Sequence, residues 1–495
     1  MKLSSITPKA GRPPVPHVTR EAGRRAISAS DPPDFIAEIL RPWNDSTWRK
    51  AALMSLRAAD GEGAASLEWL SHHPVRNGSA AADPMAQAEL NLSKMDLTHD
   101  DLQRLGAWLQ SWQFPAPIKI DLSYINFSND YADDLAALLK EPSCVTELSL
   151  VRCRLSKRDI GTLCSVLHDN TSLQQLDLER NFIEGCGKRI GAMLRANTTL
   201  KSLVLRGTEE SRDGPAHQLG YQSIRWIAGA LEENSSLQVL DLGRNRWGFK
   251  GIAAIANMLK VNKTLSDLDL GDAPMDHGFK TLCEALASNT TLEHLKLGRA
   301  DLNNGQFTAL GTMLEKNRSL RSLDLSCVYF ERSADKAHMQ KFCKGLSSNT
   351  SLRELTIQAG RHAIFLAVLS MLGNPASHLE TLGFCGNALS AQEQAALTKA
   401  VQDNRTLIHF GDGGLSNFTA DAMSAINSAT ARNERLRLEM GAHAGEALSV
   451  LLQEAHKSGN APYLPKEMNR PLGKAFELMN DVPTVLAIFD AVMQR

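Results

Sequence analysis

From about residue 87 onward the chain repeats itself every 27 or 28 residues, and this period limits its folds more than any other feature. The stretch 171–205 shows one unit. Leu173, Leu176 and Leu178 make L-x-x-L-x-L, Asn181 and Ile183 follow, and an amphipathic run ends at Asn197 before Leu200, Leu203 and Leu205 start again. The L-x-x-L-x-L half alternates inside and outside, as a short strand must. In the other half, Ile190, Met193 and Leu194 fall on one face of a helix. With the first position of the motif as anchor, units begin at Gln87, Pro117, Val145, Leu173, Leu200, Leu237, Leu265, Leu292, Leu320, Leu352, Leu379, Leu407 and Leu436. The first two anchors are not aliphatic, but Leu90, Leu92, Ile120 and Leu122 hold the next two positions. A fixed period of this size predicts stacked coils that each bury their apolar face against a neighbour.

A period near 28 leaves room for an α-helix in every coil, and on these residues the pattern resembles the ribonuclease-inhibitor-like class of leucine-rich repeats. That class is also found at the sensor ends of NOD-like receptors. The resemblance covers roughly residues 85–455 and implies an α/β fold: a right-handed βα solenoid of about 13 repeats, a horseshoe with a parallel sheet on its concave face and helices outside. Strands pack closer than the helices behind them, so such a stack curves with the strands inside. A solenoid absorbs this length as one body. Residues 1–33 are rich in Pro, Ser and Arg and are expected to be a disordered leader. Residues 34–84 read as a helical N-terminal cap, with helices at FIAEIL, at STWRKAALMSLRAA behind Asp45, and at ASLEWL. Residues 456–495 read as a helical C-terminal cap whose last helix opens at Asp481 and Pro483.

Composition removes several function classes. With 54 basic and 55 acidic residues the net charge is −1, so no global field draws the chain to nucleic acid or an anionic membrane. No apolar run reaches the length of a membrane span, and no apolar segment of signal-peptide length follows Met1. All eight cysteines lie inside repeats and none forms C-x-x-C, which predicts reduced core thiols and no zinc. No phosphate-binding glycine loop, H-E-x-x-H, G-x-S-x-G or dinucleotide fingerprint occurs. His72 and His73 stand in a loop without acidic neighbours and are not expected to bind metal. No catalytic residue, cofactor or metal is expected, and the chain reads as a non-enzymatic binder. Ribonuclease inhibitors of this class are strongly acidic, whereas this chain is neutral, so that activity ranks low.

Two columns of polar residues run through the repeats. Asn170, Asn197, Asn234, Asn262, Asn289, Asn317, Asn349 and Asn404 each stand three residues before a Leu anchor and each lies in N-x-S/T. A left-handed Asn ending each helix explains the column, so it marks a turn and predicts no glycan. On the solvent side of the strands, Asp121, Asp177, Asp241, Asp269 and Asp324 stand four residues after the anchor. Tyr124, Arg152, Arg180, Arg244 and Arg299 stand seven after it, with Asp272 interrupting. Strands ~4.8 Å apart would stack these into adjacent acidic and basic stripes. The stripes either neutralise one another or form a charge-patterned protein-binding surface. Longer steps place extra residues near 209–223 and 330–338, which should emerge as loops on one rim and are either binding loops or length drift.

Three settings fit such a binder. The acid-poor, Ser- and Pro-containing leader resembles the export signal of bacterial type III effectors, which implies a chain secreted into a host cytoplasm to bind a host protein. PPDFIAEIL resembles the opening of an F-box, which implies a ubiquitin-ligase substrate adaptor. An ordinary cytosolic interaction protein is the third. In each the partner is a protein, with no nucleic acid and no membrane span, and a monomer is expected.

Overall fold

The computed structural model describes residues 53–54, 88–95, 97–111, 117–127, 131–141, 143–207, 218–273, 275, 278–330, 336–358, 362–385, 389–411 and 418–457. The chain divides into two compact units at Asp301/Leu302. Both are built from the same coil.

In the first unit the strands are β1 (Leu53–Met54), β2 (Ala88–Asn91), β3 (Ile118–Asp121), β4 (Val145–Ser149), β5 (Gln175–Asp177), β6 (Ser202–Val204), β7 (Val239–Asp241), β8 (Asp267–Asp269) and β9 (His294–Lys296). Each pairs in parallel with the next. Between strands run α1 (His99–Ser111), α2 (Ala132–Leu138), α3 (Lys157–Leu167), α4 (Gly187–Ala196), α5 (Tyr221–Leu231), α6 (Gly248–Val261) and α7 (Phe279–Ser288), each packed on its successor. The register is the one that the anchors predict. Leu90, Ile120, Leu148, Leu176, Leu203, Leu240, Leu268 and Leu295, all three residues past an anchor, are successive partners across the sheet. None is more than 2 % exposed, and each buried side chain stabilises the stack by roughly 1.5–3 kcal/mol.

The second unit repeats the scheme with β10 (Ser322–Leu325), β11 (Glu354–Gln358), β12 (Thr381–Cys385) and β13 (His409–Gly411), parallel throughout. Leu323, Leu355, Leu382 and Phe410 align as partners. Its helices are α8 (Asn304–Lys316), α9 (Lys336–Ser348), α10 (His362–Leu372), α11 (Ala391–Asp403) and α12 (Ala420–Lys457). The anchors of α8 and α11 are capping boxes, Asn303 with Gln306 and Ser390 with Glu393. Parallel strands joined by helices, coil after coil, make this a βα leucine-rich-repeat solenoid.

The asparagine column marks the turn, but by another mechanism than the one expected. Asn197, Asn262, Asn289, Asn317 and Asn404 end their helices with extended backbone, Asn197 at φ −72° and ψ 126°, not left-handed. The Asn197 side chain instead reaches back one coil. Nδ2 of Asn197 donates to the Leu167 carbonyl at 2.7 Å, while its Oδ1 accepts from the Leu200 amide at 2.7 Å. Asn234, Asn262, Asn289, Asn349 and Asn404 repeat both bonds on Leu194, Leu231, Leu259, Leu314 and Leu372. The amide thus joins the orphan carbonyl of one helix end to the first amide of the next strand. With both ends occupied and the residues buried, the amide nitrogen is not accessible to a glycan.

A second correction concerns Leu436. It is no strand anchor but an exposed residue of α12, which runs for 38 residues. The stretch from Ala420 lacks Gly and Pro up to Met440, and its Ala, Glu, Arg and Leu favour continued helix. Asn433 still fills the column position inside that helix, donating to the carbonyls of Asn404 and Leu407. Of the N-terminal cap reading, Leu53 and Met54 form the strand β1 where a helix is expected; the rest of 34–84 lies outside the described residues. So do the leader 1–33, the cap segment 458–495, and the insertion residues 208–217 and 331–335.

Candidate protein-binding surface

The strand face of the first unit is built by two turn devices that recur in most coils. At the end of five strands, the side chain at the fourth position past the anchor accepts the amide two residues on. The bonds are Asn91 to Ser93 at 3.0 Å, Asp121 to Ser123 at 2.9 Å, Asp177 to Glu179 at 2.9 Å, Asp241 to Gly243 at 2.7 Å and Asp269 to Gly271 at 2.8 Å. The aspartate stripe therefore first serves the backbone as a row of Asx turns. Asp324 does the same for Ser326 in the second unit, at 2.7 Å.

One residue further, the chain turns away from the sheet through left-handed backbone. Lys94, Tyr124, Arg152, Arg180, Arg244, Asp272 and Arg299 have φ between 55° and 65°, and every one stands seven past its anchor. Their amides extend the ladder beyond the strands, for example Arg152 to the Glu179 carbonyl at 2.9 Å and Arg244 to that of Gly271 at 2.9 Å. Glycine or asparagine adopts this conformation at least cost. Long side chains here carry strain.

The nine residues singled out in the sequence divide into two regions and one outlier. Asp241, Arg244, Asp269 and Arg299 belong to a closed ion-pair network. Its hub is Arg206, whose Nη1 lies 3.2 Å from Asp241 and 3.0 Å from Asp269, and whose Nη2 lies 3.3 Å from Asp272. Arg244 and Arg299 approach Asp272 at 3.2 and 3.6 Å, and Lys296 approaches Asp269 at 3.9 Å. Arg206 crosses over Gly243, where an added Cβ would come within 2.5 Å of its guanidinium. Burial works against its charge, but the three carboxylates outweigh burial and raise its pKa. Asp241 is also raised, by burial and by Asp269, with Arg206 opposing. In this region the stripes neutralise one another.

Sequence reading missed Arg206. The available signal was a single long cation six past its anchor, in a column that then reads Gly243, Gly271, Gly298.

Tyr124, Arg152, Asp177 and Arg180 form the second region, which stays open. Tyr124 is 49 % exposed, with Lys94 Nζ 5.7 Å and Arg152 Cζ 5.9 Å from its ring centroid. Such a stack is a rigid amphipathic platform. Arg180 leans on Glu179 at 3.2 Å. Asp177 lies between them with no basic partner among the described residues. Asp324, the ninth residue, belongs to the second unit.

Burial raises the Asp177 carboxyl from 3.8 to about 6; the Glu179 amide opposes this, and the charges of Glu179, Asp241 and Asp121 add to it. The fold therefore favours the protonated form. Its contribution to stability is complete below about pH 4 and is lost as pH rises to about 6. Asparagine keeps the oxygen that caps Glu179 and cannot ionise. Asp177→Asn should thus gain on the order of 1–3 kcal/mol at pH 7 and almost nothing at pH 3.5. Equal gains at both pH values in denaturant titrations would refute this account.

Among the described residues no group of three or more His, Cys, Asp or Glu could hold a metal, and no helix is long and apolar enough to cross a membrane. Cys144, Cys153, Cys164, Cys186, Cys283, Cys327 and Cys343 form no disulfide. Cys153 stands eight past its anchor, where Asn181 and Asn245 stand in their own coils, and donates its thiol to the Leu122 carbonyl at 3.2 Å. Burial pushes its pKa up to about 12, so it is an inert packing group.

No family model matches the chain. Curated relatives do. It is 28 % identical over 264 residues to NACHT, LRR and PYD domains-containing protein 13 of Homo sapiens, covering 53 % of this chain and 21 % of that protein. To NACHT, LRR and PYD domains-containing protein 14 of Mus musculus it is 32 % identical over 160 residues, covering 32 % and 15 %. To leucine-rich repeat-containing protein 73 of Rattus norvegicus it is 31 % identical over 129 residues, covering 26 % and 38 %. The chain thus spans between 15 % and 38 % of the length of these three relatives. Among solved structures, a tropomodulin C-terminal domain of Caenorhabditis elegans aligns with 38 % of this chain and 96 % of its own at 16 % identity, but at a TM-score of 0.26 the likeness carries no argument. Coil geometry and repeat-bearing relatives agree: the chain folds as a leucine-rich-repeat solenoid and is similar to leucine-rich-repeat-containing proteins.

Proposed function

We propose that the protein is a binding scaffold that docks a protein partner on the open half of the first unit's strand face, through Lys94, Tyr124, Arg152, Asp177 and Arg180. One observation carries the reading. Four of these five keep long side chains on left-handed backbone, where glycine would relieve strain. Aromatic and arginine anchors are also what dominate protein interfaces. The repeat-containing relatives support a protein-interaction role.

The strained column supplies its own test. Arg180→Gly relieves about 1–2 kcal/mol of left-handed strain, offset by about 0.5–1 kcal/mol of glycine chain entropy and the loss of the half-buried pair with Glu179. Stability should hold or rise slightly, while partners recovered by affinity purification of the full chain fall at least tenfold. A paired Tyr124→Ala, Arg152→Glu variant should lose the same partners. An unchanged set of partners in both would remove this surface from consideration. Arg244 is unsuited to charge reversal, because a carboxylate there would repel Asp272, which Arg244 now approaches at 3.2 Å.

A bacterial effector acting in a host cytosol is the finer reading, and it rests on the composition of the leader 1–33 alone. A reporter fused to residues 1–50 should then enter host cells in a secretion-dependent way. No delivery returns the scaffold to the adaptor or cytosolic setting.

A further inference from the structure

A second surface lies on the helix side of the first unit. Between α5 and α6 runs a cleft of ≈ 430 Å³ whose floor is made of small side chains, among them Ala228 and Ala253. Tyr221 and Phe249 form one end, with Phe249 52 % exposed. Lys250 is held between these two rings, its Nζ 5.7 Å from the Tyr221 centroid and 5.9 Å from that of Phe249. Arg225 stands on the same wall. Among the described residues neither cation meets a carboxylate.

The charge at this end is one-sided for a second reason. Neither α5 nor α6 has an acidic residue in its first turn, so both positive helix ends add to Arg225 and Lys250 uncompensated. Glu232 lies at the opposite end of the cleft. The cleft is therefore polarised along its length, apolar in the middle and positive at the aromatic end. An exposed Phe beside a cation stacked on ring faces is complementary to an apolar group with a carboxylate next to it.

We propose that this cleft is a docking site for an acidic amphipathic peptide segment of a partner protein. An apolar side chain would sit over Ala228 and Ala253 against Phe249, and Asp or Glu residues would pair with Arg225 and Lys250. This mode is an apolar anchor in a groove between helices, oriented by charge. It is separate from the strand face and does not depend on it.

A displayed library of random 12-residue peptides, selected on the full chain, tests the assignment. The recovered sequences should be enriched in Asp and Glu around one Leu, Phe or Trp. Synthetic versions should bind Arg225→Glu/Lys250→Glu at least tenfold more weakly, and Phe249→Ala about three- to tenfold more weakly, with circular dichroism unchanged. All three side chains are at the surface, so Phe249→Ala remains informative if the double reversal unfolds. Sequences without acidic enrichment, or equal binding to all variants, overturn the proposal. So does capture of a 20-nucleotide oligothymidine in place of peptide, which assigns the cations to nucleic acid. A concentration-dependent dimer lost in the same variants also overturns it, assigning the cleft to a second copy of this chain.

Discussion

Asn234→Ala should destabilise the first unit by about 3–5 kcal/mol, although it deletes only a small polar group. The side chain is 7 % exposed and makes bonds in two directions. Nδ2 donates to the carbonyls of Leu194 at 2.7 Å and Asn197 at 3.2 Å, and Oδ1 accepts from the amides of Ser236 at 3.0 Å and Leu237 at 2.8 Å. Alanine strands a buried carbonyl and a buried amide at once, each worth roughly 1–3 kcal/mol. For a unit of this size the melting temperature should fall on the order of 10 °C. Asn234→Asp separates the two halves of the role. It keeps both acceptor bonds but turns an oxygen toward the Leu194 carbonyl, so at pH 7 it should be at least as damaging as alanine. Its folded-state pKa would be raised, and the loss should shrink as pH falls and the carboxyl protonates. A thermal shift below about 2 °C for alanine, or an aspartate variant as stable as the native chain, would show that the asparagine column is ornament rather than structure.

Arg206→Ala should cost about 2–4 kcal/mol at neutral pH, less than a fully buried pair because Lys296, Arg244 and Arg299 remain. Without the hub, Asp241 and Asp269 face each other with only one long-range counter-ion, Lys296 at 3.9 Å from Asp269. Asp241 already has a raised pKa from burial and from Asp269, against the opposing pull of Arg206. Deleting that pull raises it further, so the variant loses more stability as pH climbs through the carboxylate range than the native chain does. Below the ordinary carboxylate pKa the two should converge. Arg206→Lys should recover little, since one ammonium cannot bridge three carboxylates as a planar guanidinium does. Denaturant titrations at pH 3.5 and 7 read both effects; a deficit that stays constant across that range would rule out the ion-pair explanation.

The strand register in each unit was legible because it is written locally. An anchor with apolar residues three and five positions on must face the core, and a slip of one residue would turn all of them outward. Leu176 and Leu203 are partners for that reason. The asparagine column was legible as a turn marker but not in its mechanism, because the bond that explains it joins residues about 30 apart, such as Asn197 and Leu167. Leu436 misled because a leucine pattern of the right spacing lies inside a segment that propagates helix more strongly than it breaks.

For the surface, the spacing identified which residues stand on the strand side, and it located eight of the nine candidates on one face of the first unit. It did not distinguish a closed network from an open platform. That distinction depends on how far a side chain reaches across coils. Arg206 passes over Gly243 to touch Asp269 and Asp272, 63 and 66 residues away, whereas Tyr124 stacks with Lys94 and Arg152 and remains in water.

The sequence by itself determined the coil, its period, its register and its buried seam, since each follows from side-chain alternation within one unit. Only the tertiary structure decided the left-handed turn of the basic column, the neutralisation of half the charged face, the division at Asp301 and the cleft between α5 and α6. These arise where neighbouring coils meet, and contact between coils is a property of stacking that no single repeat encodes.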